Sequence, residues 1–340
     1  MAAKIATNAR RTLATIFAAI AVTAAHSTAH ATSNCKLVRI ADWPVRIERN
    51  HLLVDGTVNG QKVAILLDTG APSTLIFRAT AERLGLPQRD PKNIRMYGMG
   101  GETKVYVAEV KEFRIGDAVR TNWQVYVAGK GDYGADMLLG EEFFRAVDVE
   151  FDLAHNAVRL YQPKDCDGIG LAYWASSGIG EVPILDISAA RPQIVIPVQI
   201  NGQPLNALFD SGAASTVLYQ AEAARLGVTP DTPGVVRSGK AAGLGDRTLD
   251  SWIGSFKSFT IGNETINDVD FFFTDFQKDA TYAETGSHLP TKVSGLHSML
   301  LGVDFLLAHR VLVAHSQRKV YFTYNGQTVF QLQRPSAGGP

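Results

Sequence analysis

Two short segments of this 340-residue chain put an acid where it could do chemistry. Asp68-Thr69-Gly70-Ala71 follows the apolar run Ile65-Leu66-Leu67, and Asp210-Ser211-Gly212-Ala213 follows Ala207-Leu208-Phe209. A few β-prone residues halted by an Asp-Thr/Ser-Gly turn predict a buried strand that delivers its last side chain to a loop. A lone carboxylate leaving such a strand is costly and needs a partner for its charge or its proton. The second copy supplies one. Two carboxyls about 3 Å apart cannot both ionise, so they hold one proton between them, one serving as base and the other as acid. Such a pair can polarise a water for attack on a peptide carbonyl.

The elements that must position the two acids also occur twice. Residues 52–58 alternate toward Asn59-Gly60 and residues 61–67 return. Residues 194–200 lead to Asn201-Gly202 and return to Asp210. Asn-Gly between alternating runs is a strong hairpin signal. The hairpin Asn (59 and 201) and the acid (68 and 210) are both 142 positions apart, so register is kept from turn to carboxylate. Short helices are predicted over 79–84 and 220–226, each closed by Gly (85, 227) at a C-cap position. Glycine-rich hairpin tips follow at 96–103 and 241–248, then strands over 105–110, 112–115, 123–127 and 137–139, matched by 251–256, 259–261, 269–274 and 299–301. Each copy carries Leu-Leu-Gly, at 138–140 and 300–302.

With these motifs in view, the chain resembles the aspartic peptidases, both the two-lobed pepsin-like enzymes and the retropepsins, over nearly its whole length past residue 31. The resemblance implies an all-β, bilobal fold: two homologous β-rich lobes with a few short helices. It implies that Asp68 and Asp210 are catalytic, that Thr69 and Ser211 reach across to the opposite lobe, and that Gly70 and Gly212 let the backbone approach the carboxylates. Leu-Leu-Gly would pass behind and support the active loops, which Thr74 and Thr216 also stabilise. Tyr97-Gly98-Met99-Gly100 resembles the pepsin-like flap, a substrate-covering hairpin. Ala242 stands at the matching place in the second copy, so the first hairpin is expected to cover the cleft. The alternative is a glycine-rich turn with Tyr97 packed on its own sheet. Ala71 and Ala213 replace the hydroxyl residue usual in pepsin-like enzymes, as in many retropepsins. With fewer donors to the anion, the pair should keep its proton to higher pH, giving a mildly acidic optimum.

The rest of the sequence bounds the setting. Lys plus Arg equals Asp plus Glu at 33 each, which gives no case for nucleic acid or an acidic membrane surface. Lys4, Arg10 and Arg11 precede the apolar run 13–25, and Ala29-His30-Ala31 has the small-x-small pattern of a signal-peptidase site. The expected organisation is a signal peptide (1–31), an N-terminal lobe (32–163), a linker (164–191), a C-terminal lobe (192–330) and a tail (331–340). The product is exported, periplasmic or secreted, without a membrane anchor. In an oxidising compartment the two cysteines, Cys35 and Cys166, read as a disulfide tying the N-terminal arm to the linker; the alternative is two unrelated buried thiols. The copies differ over Phe276 to Leu296, a polar surplus that is either a cleft-edge loop or a solvated excursion.

None of His51, His155, His288, His297, His309 and His315 has metal-ligand spacing, Ser73 and Ser215 lack a nucleophile-elbow context, and no phosphate-binding loop is present. No metal or cofactor is expected. One chain supplies both acids, so the reading is a monomeric aspartic endopeptidase acting on extended polypeptide. A binding protein that holds a peptide or envelope ligand without cutting it is the alternative, disfavoured by two intact aspartates.

Overall fold

The alternation of residues 52–58 and 61–67 becomes an antiparallel hairpin, His51–Val58 with Gln61–Leu67. Asn59 and Gly60 sit at φ 51° and 78°, the left-handed pair that suits the twist of a two-residue hairpin. The second copy repeats it with Val195–Ile200 and Gln203–Phe209 around Asn201 and Gly202, at φ 53° and 73°. This computed structural model describes residues 34–330 other than 93, 95, 132, 186–192 and 277–296, together with residue 332. The signal segment, the end of the linker, nearly all of the polar surplus and most of the tail lie outside the described residues.

In each half a short, wholly apolar strand lies beside the one that ends at the acid. Met137–Leu139 pairs parallel with residues 65–67 and antiparallel with 75–76; Met299–Leu301 pairs parallel with 207–209 and antiparallel with 217–218. These strands are buried end to end, so they read as continuous apolar runs and not as alternation. Pairing of 56–58 with 113–115, and of 199–200 with 259–260, curls each sheet back on itself. The result is a two-lobed all-β fold with short helices at Arg78–Arg83, Glu141–Phe144, Gln220–Arg225 and Val303–Leu306.

One expectation needs correction. The predicted breaks near 111 and 257 are absent: Tyr106–Ile115 and Leu249–Ile261 run through. Their polar residues are held by the hairpin asparagines. Asn59 Oδ1 accepts the amides of Lys111 (2.9 Å) and Glu112 (3.1 Å), and Asn201 Oδ1 those of Lys257 (2.7 Å) and Ser258 (3.2 Å). The N-terminal arm, for its part, forms a strand, Lys36–Pro44, at the edge of a six-stranded sheet.

That sheet joins the halves. Its order is Lys36–Pro44, Ala157–Lys164, Asp148–Asp152, His309–Ala314, Lys319–Tyr324, Gly180–Pro183, three strands on either side of the pairing of Val149–Phe151 with residues 311–313. Buried Glu150 sits on this seam, met by Arg310 (2.6 Å), Arg159 (3.3 Å) and the Tyr173 hydroxyl (2.7 Å), which answers the cost of a buried carboxylate. A Cys35–Cys166 disulfide ties the start of the first edge strand to the linker. No helix among the described residues is long and apolar enough to cross a membrane.

Candidate active site

Each acid leaves its strand where the neighbouring Leu-Leu-Gly strand holds it: Asp68 N donates to Leu139 O (3.0 Å) and Asp210 N to Leu301 O (2.9 Å). The turn that follows is tied behind. Glu141 N donates to Ala71 O (2.8 Å), Val303 N to Ala213 O (2.9 Å), Gly140 N to Thr74 Oγ1 (3.0 Å) and Gly302 N to Thr216 Oγ1 (3.1 Å).

The two turns then lock to each other. Thr69 Oγ1 donates to Phe209 O (2.8 Å) and accepts Ser211 N (3.0 Å); Ser211 Oγ donates to Leu67 O (2.8 Å) and accepts Thr69 N (3.0 Å). Both hydroxyls are fully buried, and each satisfies two backbone groups of the opposite half that would otherwise be stranded. Inside this frame Asp68 Oδ1 accepts Gly70 N (3.0 Å) and Ala71 N (2.9 Å), and Asp210 Oδ1 accepts Gly212 N (2.9 Å) and Ala213 N (3.1 Å). Each carboxyl also lies against the glycine of the opposite turn. Glycine is required after each: a Cβ on Gly70 would stand 2.4 Å from Asp210 Oδ1, and one on Gly212 2.5 Å from Asp68 Oδ1.

The electrostatics follow from this packing. Burial, reinforced by the neighbouring Asp210 charge, raises the Asp68 carboxyl well above the ordinary range against the pull of the Ala71 and Gly70 amides. Burial also raises Asp210, to about 6, against the amides of Gly212 and Ala213. The titration of Asp68 therefore depends on the charge of Asp210.

Tyr97, Gly98, Met99 and Gly100 form a separate two-stranded hairpin, Met96–Gly98 with Gly101–Thr103. The Tyr97 hydroxyl reaches its own cross-strand partner, Glu102 Oε2, at 3.3 Å. The second-copy turn docks on this tip: Gly245 N donates to Met99 O (2.9 Å), Arg247 N to Gly100 O (3.1 Å), and Asp246 Oδ1 accepts Arg78 Nη2 (3.1 Å) and Thr103 Oγ1 (3.3 Å). Backbone from both halves thus meets at this tip. Gly100 (φ 90°) and Gly245 permit the approach; a Cβ on Gly245 would lie 2.2 Å from Gly100 C. The tips exchange side chains, Leu244 packing with the first-lobe cluster of Leu75, Phe77 and Ala71, and Met99 with the second-lobe cluster of Val217, Leu300 and Ala213.

Several contributors are not foreseen from the sequence. Asn50 Nδ2 donates to Ala214 O (3.1 Å) and Gln193 Nε2 to Gly70 O (3.3 Å), two further ties across the halves. Asp304, with both oxygens on Thr216 (N 2.8 Å, Oγ1 2.6 Å), and Glu142, with one on Thr74 N (2.6 Å), brace the two active turns from behind. A signal for these was present: both acids closely follow Leu-Leu-Gly, 162 positions apart. Among the described residues no group of three or more His, Cys, Asp or Glu side chains is placed to hold a metal ion.

Two β lobes, each presenting an Asp-Thr/Ser-Gly turn cradled by Leu-Leu-Gly, define a two-lobed aspartic peptidase. The sequence profile of the aspartyl protease family matches residues 54–143 and 196–305, one stretch in each lobe, and the chain belongs to that family. No curated protein sequence matches the chain.

Proposed function

We propose that this protein is an exported aspartic endopeptidase in which Asp68 and Asp210, sharing one proton, activate a water to hydrolyse a peptide bond. The observation that carries the reading is the pair of carboxyls brought together at the crossed turns, each held by two amides of its own turn and lying against the glycine of the other. The ionised member takes a proton from the water as its oxygen bonds to the scissile carbonyl carbon. The protonated member gives its proton to the carbonyl oxygen, and a neutral gem-diol results. One proton then passes from the pair to the amide nitrogen as the C–N bond breaks. A diol hydroxyl returns its proton to the pair, restoring the singly protonated state without a covalent enzyme intermediate. The hairpin 96–103 and the turn 242–248 part to admit an extended polypeptide and close over it, excluding water. Because one chain supplies both acids, the working unit is a monomer. Export is supported by the Cys35–Cys166 disulfide, since such bonds persist in oxidising compartments.

The test is cleavage of an unstructured polypeptide library. Wild type should cut and be blocked by a statine-type transition-state mimic. Asp68→Asn and Asp210→Asn should each lose about 10²–10⁴-fold or more in turnover. An Asp68→Asn variant that cuts at the wild-type rate would overturn the proposal.

A further inference from the structure

We propose that a cavity in the first lobe, behind the Asp68 turn, is a binding site for a small aromatic molecule carrying a hydrogen-bond donor on a short linker. The cavity holds about 220 Å³ and is walled by Phe113, Trp123 and Phe143, with Thr74, Glu142 and Arg120 as its polar members. That is small for a drug-sized ligand but enough for one ring, since an apolar cavity of about 150 Å³ takes benzene.

The second lobe shows what this place accepts. Phe113 and Phe143 correspond by the internal repeat to Phe259 and Phe305, and between those two sits the ring of Phe330. Its centroid lies 5.2 Å from Phe259, 6.3 Å from Phe305 and 4.8 Å from Phe271. Phe330 holds φ 55°, a conformation unfavourable for an aromatic residue, and its ring is buried. The same spacing that takes Phe143 to Phe305 takes Gly168 to Phe330. In the first lobe the chain at that point has turned into the linker just past disulfide-bonded Cys166, and glycine brings no ring. The aromatic seat is therefore built twice: Phe330 fills it in the second lobe, whereas in the first Trp123 stands 5.2 Å from Phe113 and Trp43 5.9 Å from Phe143, and the cavity lies beside them.

The donor requirement comes from Glu142. Its counterpart, Asp304, spends both oxygens on Thr216. Glu142 spends Oε1 on Thr74 N, while Oε2 is buried without a hydrogen-bond partner among the described residues. A buried acceptor left unmade is costly, so a ligand that brings a donor there gains over one that does not. The Arg120 guanidinium, 4.7 Å from the Trp123 ring centroid, forms the other polar wall. Hydroxyl and ammonium heads share the required donor, and the two are separated in the test. The site is distinct from the peptide cleft and does not depend on hydrolysis.

Full-length protein with its disulfide intact is titrated with benzyl alcohol, benzylamine, toluene and benzoate, read by ligand-observed NMR and tryptophan fluorescence. Saturable binding of benzyl alcohol or benzylamine, at least about 10-fold tighter than toluene and benzoate, is expected. Ala118→Phe, placed on an exposed strand residue lining the cavity, should abolish it, whereas Asp68→Asn should retain it. If thermal melting shows Ala118→Phe unfolded, Glu142→Gln serves instead: it keeps an acceptor for Thr74 N, puts an amide donor in place of the free acceptor, and should bring benzylamine, which can only donate, within about 3-fold of toluene. No saturable binding, toluene equal to both donors in wild type, or binding unchanged in a folded Ala118→Phe would overturn the proposal.

Discussion

Removing the Ser211 hydroxyl should uncouple the two halves of the site. Ser211 is fully buried, and its Oγ both donates to Leu67 O and accepts from Thr69 N. Ser211→Ala strands both backbone groups. An unmade hydrogen bond at a buried group costs about 1–3 kcal/mol, so the pair should cost about 2–5 kcal/mol after partial relaxation. The Asp68 strand end is then free to shift relative to Asp210. Displacement of about 1 Å in a positioned pair lowers turnover about 10²-fold, so kcat should fall more than KM rises. Ser211→Thr should rescue both quantities, because Thr69 shows that a threonine fits the equivalent place in the other half. The assay is urea unfolding of both variants beside steady-state cleavage of one peptide. A Ser211→Ala protein within about 0.5 kcal/mol of wild type, with kcat unchanged, would refute the reasoning.

Further outcomes follow from the same geometry. Asp210 is raised to about 6 and Asp68 is raised well above the ordinary range, so the singly protonated pair gains population as pH rises toward 6. The kcat/KM profile should still be climbing between pH 4 and 6, and a maximum near pH 2 would contradict this. Replacing Cys35 and Cys166 together by serine opens a link between residues 131 positions apart and should cost about 2–5 kcal/mol. Peptide turnover per folded molecule should stay unchanged, and two free thiols found by alkylation of non-reduced, denatured protein would contradict the bond. Glu141 is buried beside His315, Oε1 to Nε2 3.3 Å, and burial raises the acid to about 9 and lowers the imidazole to about 4. A carboxyl with a raised folded pKa stabilises most below its unfolded value and loses that contribution as pH rises through the folded one. Glu141→Gln should therefore flatten the decline in unfolding free energy between pH 5 and 9, and an unchanged slope would remove Glu141 as its source.

The repeat, the strand register and the Leu-Leu-Gly supports were legible because they are local: period-two alternation into Asn-Gly, apolar runs where strands are buried on both faces, and glycine where a carboxylate needs room. Lys36–Pro44 was not, because it is an edge strand whose residues are mostly exposed and carry no alternation. Nor did the polar residues at 111–112 and 257–258 announce continuous strands, since asparagines more than fifty positions away hold them. Asn50, Gln193 and Leu244 act through contacts with the opposite half, which no local pattern encodes. The place of Tyr97 in a hairpin was readable, but the partner of its hydroxyl was set by cross-strand pairing with Glu102. Glu141 stands where the second half has Val303, and the difference mattered only once His315 was seen to pack against it.

The proposed hydrolysis needs one proton divided between Asp68 and Asp210, and the most direct measurement is a carboxyl ¹³C NMR titration of both aspartates. It should show two well-separated steps, the lower near 6, which give way to a single step in Asp210→Asn. Two carboxyls that each titrate independently near 4 in the folded wild-type protein would contradict it.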